Sequence, residues 1–194
     1  MSFILIAFAT DEGQTAKVAR ALADQLRDFG HTVRLSDLQD RADRPDPELY
    51  DAVIVAASVH AGRHQKRASR FVRQHRDALV QRATAFLSVS MSAASTTDAG
   101  RQMADEQVQV FLRDAGWQPQ QVGTIAGALQ FSRLSWVRRG ITLLLATVFR
   151  KELRRLGWPE DLTRDAEFTD WDALRRFGER FAAGLSAGSQ RASG

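Results

Sequence analysis

The chain has 194 residues, 44% of them apolar, enough for one α/β domain with its own core and too many for global disorder. It has no cysteine, which excludes disulfides, cysteine–metal sites and thiol nucleophiles, and its four histidines (31, 60, 64 and 75) show no zinc-like clustering. The net charge is +4 and the pI about 10.3, with 24 arginines among 27 basic residues, a balance that favours anionic partners.

Residues 3–9 are a short apolar run that reads as a strand buried on both faces. No basic segment precedes it, so it is not read as a secretory signal, and no run in the chain reaches the roughly 20 apolar residues of a membrane span. A polar turn follows at 10–15, then a helix to about Phe29 with Val18, Leu22, Leu26 and Phe29 on one face and Gly30 as its stop. Residues 31–36 read as a second strand and 37–47, with two prolines, as a loop. Residues 51–57 are a third buried strand, and 58–64 a loop. One helix is expected after it, with Ala68, Phe71, Val72, His75 and Leu79 inward. A fourth strand at 84–89 ends in the small-residue loop 90–95. A helix at about 99–115, a fifth strand at 122–129 and a last helix from about Asp170 complete the pattern.

Strands alternating with helices imply a parallel sheet with right-handed crossovers. The expected fold class is α/β, a flavodoxin-like doubly wound five-stranded sheet in the order 2-1-3-4-5. The organisation expected is a single domain over 1–185, with a helical insertion at about 130–167 after the fifth strand, and a Ser/Gly/Ala-rich tail at 186–194 that frays.

In such folds ligands sit at the carboxyl ends of the strands. The first of these loops carries Thr10, Asp11, Glu12, Gly13, Gln14 and Thr15 and runs into a helix N-terminus, where free N–H groups and the helix dipole favour an anion. Neither G-x-G-x-x-G nor Gly-Lys-Ser/Thr occurs there, so a lone phosphate fits better than a dinucleotide or ATP. The plain alternative is a capped helix and a solvated turn. Two further loops stand at the same sheet edge: Ala57, Ser58, Val59, His60, Ala61 and Gly62, and Val89, Ser90, Met91, Ser92 and Ala93. A flat ring between them, above the phosphate, points to FMN as cofactor; no metal site is expected. His60 and His64 fall at the expected ring edge, where a histidine can move a proton during catalysis. His75 reads better as a core histidine, and no serine lies in G-x-S-x-G.

Four segments resemble the flavodoxin superfamily, and within it the menaquinone-dependent protoporphyrinogen IX dehydrogenases. Phe8 to Thr15 (F-A-T-D-E-G-Q-T) is similar to that family's phosphate loop, lengthened by Glu12. Ala56 to Gly62 resembles its A-S-I-R-Y-G loop, with His60 and Ala61 where the family has Arg and Tyr. Ile125 to Leu129 through Trp136 resembles its I-A-G-A-L…W segment, and Thr163-Arg164 with Phe168-Thr169-Asp170-Trp171 its closing T-R…Y-T-D-W pattern. The resemblance covers residues 3 to about 182. It implies oxidation of protoporphyrinogen IX to protoporphyrin IX in haem biosynthesis, with FMN taking the hydrides and a membrane quinone, menaquinone or ubiquinone, reoxidising it.

The insertion holds an apolar run at 140–149 flanked by Arg133, Arg138 and Arg139 before it and by Arg150, Lys151, Arg154 and Arg155 after it. Ten residues of helix span about 15 Å, half a bilayer core, so the run does not cross a membrane. It suits an anionic membrane surface, a homo-oligomer interface or burial within its own domain. Arg133, Arg138 and Arg139 with Trp136 are candidate substrate-binding residues, since guanidinium forks suit the carboxylates of a tetrapyrrole. The arginines after the second loop read as a solvated face, and no nucleic-acid-binding motif accompanies them. The localisation that follows is cytoplasmic, peripheral on the inner face of the cell membrane. The rival readings are a quinone-linked oxidoreductase with another substrate, an electron carrier, and a flavin-free binding module.

Overall fold

Alternate side chains of the first strand, Phe3–Ala9 (β1), serve two separate cores, because helices cover both faces of the sheet. The computed structural model describes residues 1–40, 42–129 and 166–192. In chain order β1 is followed by α1 (Gln14–Asp28), β2 (Thr32–Asp37), β3 (Ala52–His60), β4 (Arg63–His64), α2 (Lys66–Gln74), α3 (Arg76–Val80), β5 (Ala83–Ser90), α4 (Asp98–Ala115), β6 (Gln121–Ala126), β7 (Ala128–Leu129), β8 (Ala166–Glu167) and α5 (Trp171–Ala192).

The main sheet runs β2-β1-β3-β5-β6, all parallel, with β4 folded back antiparallel on β3. With that short hairpin strand set aside, the order is the doubly wound 2-1-3-4-5 expected. Ile4, Ile6 and Phe8 pack with Val18, Leu22 and Leu26 of α1 and with Leu174, Phe177 and Phe181 of α5, whereas Phe29, expected on the same face, is the C-cap of α1 and exposed. Leu5, Ala7 and Ala9 face the other layer, where Phe71, Val72, Phe111 and Trp117 close over Phe86. Phe86 and Phe111 stack at a centroid distance of 4.3 Å and an interplanar angle of 5°. Each such side chain contributes about 1.5–3 kcal/mol by leaving water.

Four elements depart from the sequence expectation. The third strand continues through His60, because Ala61 (φ 49°) and Gly62 (φ 77°) form a tight two-residue turn that returns the chain as β4. Positive φ at both central positions matches the right-handed twist of the flanking strands. The helix expected through residue 79 breaks at His75 (φ −116°, ψ 23°), whose N–H closes α2 on the Phe71 carbonyl and whose own carbonyl opens α3 by accepting from Leu79. The fifth strand stops at Ala126: Gly127 donates to the Ser90 carbonyl, and the chain then leaves the sheet as β7, which pairs antiparallel with β8. The last helix runs through the Ser/Gly/Ala stretch to Ala192. The insertion lies outside the described residues between 130 and 165, as do Arg133, Trp136, Arg138 and Arg139.

Candidate functional site

The parallel register puts the ends of β1, β3 and β5 at one edge: Ala9 pairs with Ala57, Ser58 with Val89, and Ser90 with Ala126. The three expected loops therefore meet there. In the first, Gly13 takes a left-handed conformation (φ 87°) as the N-cap of α1, without a side-chain cap. Its N–H donates to Thr10 Oγ1 at 3.0 Å, which bends the loop back on itself, and its carbonyl accepts from Lys17 N to open the helix.

The first turn of α1 holds no acidic residue, so the positive end of the helix dipole is not neutralised from within the helix. Thr15 is fully buried, yet among the described residues its Oγ1 has no hydrogen-bond partner. An orphaned buried hydroxyl costs free energy unless something completes it. A phosphate at this helix N-terminus would take that donor together with the N–H groups that have no partner within a helix. The donor set and the orphaned Thr15 hydroxyl both fit the phosphate end of FMN.

The two loop carboxylates are drawn toward the hairpin side. Glu12 Oε1 lies 4.0 Å from His60 Nδ1, Asp11 Oδ1 lies 4.0 Å from an Arg67 nitrogen, and Asp11 also accepts from Gln39 Nε2 at 3.5 Å. The hairpin forms the second wall. Ser58 ties it to the first loop by donating to the Ala9 carbonyl at 3.5 Å, while its own carbonyl accepts from Gln65 N at 3.1 Å. Ala57 is buried, Val59 half-buried, and His60, Ala61 and Gly62 are exposed at the tip.

In the third loop Val89, Ser90 and Ser92 are buried, and Met91 and Ala93 half-buried. The hydroxyls hold the loop itself: Ser90 Oγ accepts from Ala93 N at 3.2 Å and Ser92 Oγ from Gln107 Nε2 at 3.4 Å. Any ring there meets small side chains, Met91 and backbone, since neither facing loop carries an aromatic residue.

His64 is not at the ring edge. As the second residue of β4 it turns under the hairpin, where its Nε2 and Ser88 Oγ are 2.8 Å apart and its ring lies against Phe86 and Phe111. Burial pushes it down to about 4, against a weaker opposing effect of the Gln107 backbone, so it is a neutral core group near pH 7. Of the two candidate proton carriers, His60 alone is placed at the site. His75, expected in the core, is half-buried with its ring 4.9 Å from that of Phe71.

One contributor was not singled out from the sequence. Thr169 Oγ1 accepts from Gln14 Nε2 at 2.7 Å, reaching the start of α1 from the segment that enters α5. Its neighbour Trp171 lies under Lys17 Nζ, 5.1 Å from the ring centroid. The resemblance had marked this T-D-W segment without giving it a role. On the outer side of the hairpin, an open groove of about 1590 Å³ follows α2 and is bordered by Asp11, His60, Arg63, Lys66 and Arg70. Among the described residues no cluster of three or more His, Asp or Glu could hold a metal ion, and no helix is long and apolar enough to cross a membrane.

The chain matches the flavodoxin domain family Flavodoxin_5 over residues 5–151. It is 29% identical over 178 residues to the protoporphyrinogen IX dehydrogenase (quinone) of Escherichia coli strain K12, covering 92% of this chain and 93% of that protein. It is 30% identical over 181 residues to the protein of that name from Leishmania major, covering 92% of this chain and 74% of the other. Among solved structures, a flavodoxin of Streptococcus pneumoniae TIGR4 superposes with a TM-score of 0.55 at 18% identity, over 96% of this chain and 99% of that one. A short-chain flavodoxin associated with a bacterial microcompartment does so with a TM-score of 0.55 at 14% identity, over 95% and 99%. These two likenesses concern the fold. The chain belongs to the flavodoxin domain family and, within it, groups with the protoporphyrinogen IX dehydrogenases.

Proposed function

We propose that this protein binds FMN and oxidises protoporphyrinogen IX to protoporphyrin IX with a quinone as acceptor, as a step of haem biosynthesis. The observation that carries the reading is the orphaned Thr15 hydroxyl at an uncapped helix N-terminus, in a chain aligned over 92% of its length with the named dehydrogenases. FMN, when bound, supplies the redox chemistry, accepting electrons from the macrocycle and passing them to the quinone.

The residues of the chain do the rest. Thr10 to Thr15 hold the phosphate. The hairpin from Ala57 to Gly62 and the loop from Val89 to Ala93 border the ring and keep water from its faces. His60, exposed beside Glu12, takes the protons that leave the macrocycle. Arg133, Trp136, Arg138 and Arg139 receive the carboxylates of the substrate. The basic insertion places the protein on an anionic membrane surface at the cytoplasmic face, where the quinone is dissolved, and a second copy of the chain is a further candidate partner for its apolar run.

The test is an anaerobic assay of FMN-supplemented protein with protoporphyrinogen IX, following porphyrin fluorescence with and without a menaquinone analogue. Quinone-dependent growth above a protein-free control is expected. No growth from protein with FMN bound would discard the substrate and leave a flavoprotein with another one. Loss of pelleting with anionic vesicles on deletion of 134–156 is the corresponding test of the membrane assignment; unchanged pelleting would refute it.

A further inference from the structure

We propose that Thr169 is a positioning residue of the phosphate site, and that the strap Phe168-Thr169-Asp170-Trp171 clamps the first turn of α1 in its anion-binding form. The proposal rests on the FMN reading of loop 10–15 and concerns residues beyond the end of the flavodoxin domain match at 151.

Gln14 is the first residue of α1 and is only 6% exposed. A buried carboxamide must find partners, and its Nε2 donates to Thr169 Oγ1 at 2.7 Å, across 155 residues of chain. The strap is itself held on both sides. Phe168 N donates to the Gly127 carbonyl at 3.2 Å, and Gly127 N to the Ser90 carbonyl at 3.0 Å, which ties the strap to the third loop of the site. Asp170 Oδ1 accepts from Ala173 N at 2.8 Å and so caps α5, whose Leu174, Phe177 and Phe181 are buried against α1 and the sheet.

Three residues after Gln14, on the same face of α1, Lys17 stands over the Trp171 ring. The strap thus grips one turn of α1 at two points. That turn carries the Thr15 hydroxyl and the N–H groups that would receive a phosphate. The contacts hold the donors in place before the anion arrives, so ligand binding does not have to order them. Thr169 acts through Gln14.

Riboflavin has the same ring as FMN and no phosphate, which separates this role from general support of the fold. The test compares FMN and riboflavin dissociation constants, read by flavin fluorescence, for the full chain and for Thr169→Val and Thr169→Ser. Removing the Gln14–Thr169 hydrogen bond is expected to weaken FMN binding about tenfold in Thr169→Val, with riboflavin changed less than about twofold and with Thr169→Ser restoring FMN affinity. Equal weakening of both flavins, or no change in either, would overturn the proposal.

Hydrogen exchange of the FMN-free proteins supplies a readout that needs no flavin. The peptide covering 10–18 exchanges faster in Thr169→Val, while peptides from β5 do not. Unchanged exchange at 10–18 would also overturn the proposal. Failure of the wild-type chain to bind FMN would instead sink the flavin reading, and the exchange data would still decide whether the strap holds the turn.

Discussion

Replacing Thr15 by Val should raise the stability of the FMN-free protein and lower its affinity for FMN. The two side chains have nearly the same shape and similar helix propensity, so the substitution mainly removes the hydroxyl. Thr15 is fully buried and its Oγ1 unpartnered, so the FMN-free fold carries the desolvation cost of that group. Relieving it is worth about 1–2 kcal/mol, which for a domain of this size raises Tm by about 2–8 °C. A hydroxyl hydrogen bond to a charged phosphate contributes about 1.5–3 kcal/mol, so the same change weakens FMN about 10- to 150-fold. Differential scanning calorimetry of the FMN-free protein and fluorescence titration with FMN read the two effects independently. A fall in Tm combined with unchanged FMN affinity would refute the reasoning, because Thr15 would then be an ordinary core residue.

Other outcomes follow from the same geometry. The double change Gly13→Val, Thr15→Ala strips FMN during gel filtration, since a β-branched residue is strained at φ 87° and the loop loses a donor as well. His64 is held down to about 4 against the usual 6.5, so its neutral form belongs to the folded state. The stability this gives is complete above pH 6.5 and is lost as the pH falls toward 4, about 3 kcal/mol in all. Urea midpoints measured from pH 7 down to 4.5 should show this slope, and His64→Phe should flatten it. In Gly123→Ala a Cβ would fall 2.6 Å from Phe177 Cδ2 and 3.1 Å from Leu87 Cδ1, so the variant loses about 1–3 kcal/mol in urea denaturation. His60→Gln keeps FMN affinity and lowers the rate of quinone-dependent porphyrin formation; an unchanged rate would remove His60 from the chemistry.

The hydrophobic runs made β1, β3 and β5 legible, because strands buried on both faces are apolar throughout. The glycine turn at 10–15 was legible for a related reason: a polar stretch with glycine separates a buried strand from an amphipathic helix. The hairpin at 61–62 was not, since alanine rarely takes positive φ and the stretch therefore reads as an open loop. That one turn moved His64 from the site to the core, where a two-residue strand turns alternate side chains to opposite faces. The break at His75 was hidden because Ala68, Phe71, Val72 and Leu79 keep a helical spacing across it. Thr169 was hidden by distance along the chain. Its contact with Gln14 joins the two ends of the fold, and no local periodicity carries such a pair.

A crystal structure of the FMN-reconstituted protein tests the central claim most directly. The phosphate is expected at the N-terminus of α1, within hydrogen-bonding distance of Thr15 Oγ1, with the ring between the hairpin and the loop after β5. A flavin bound elsewhere, with the Thr15 hydroxyl still unpartnered, would contradict it.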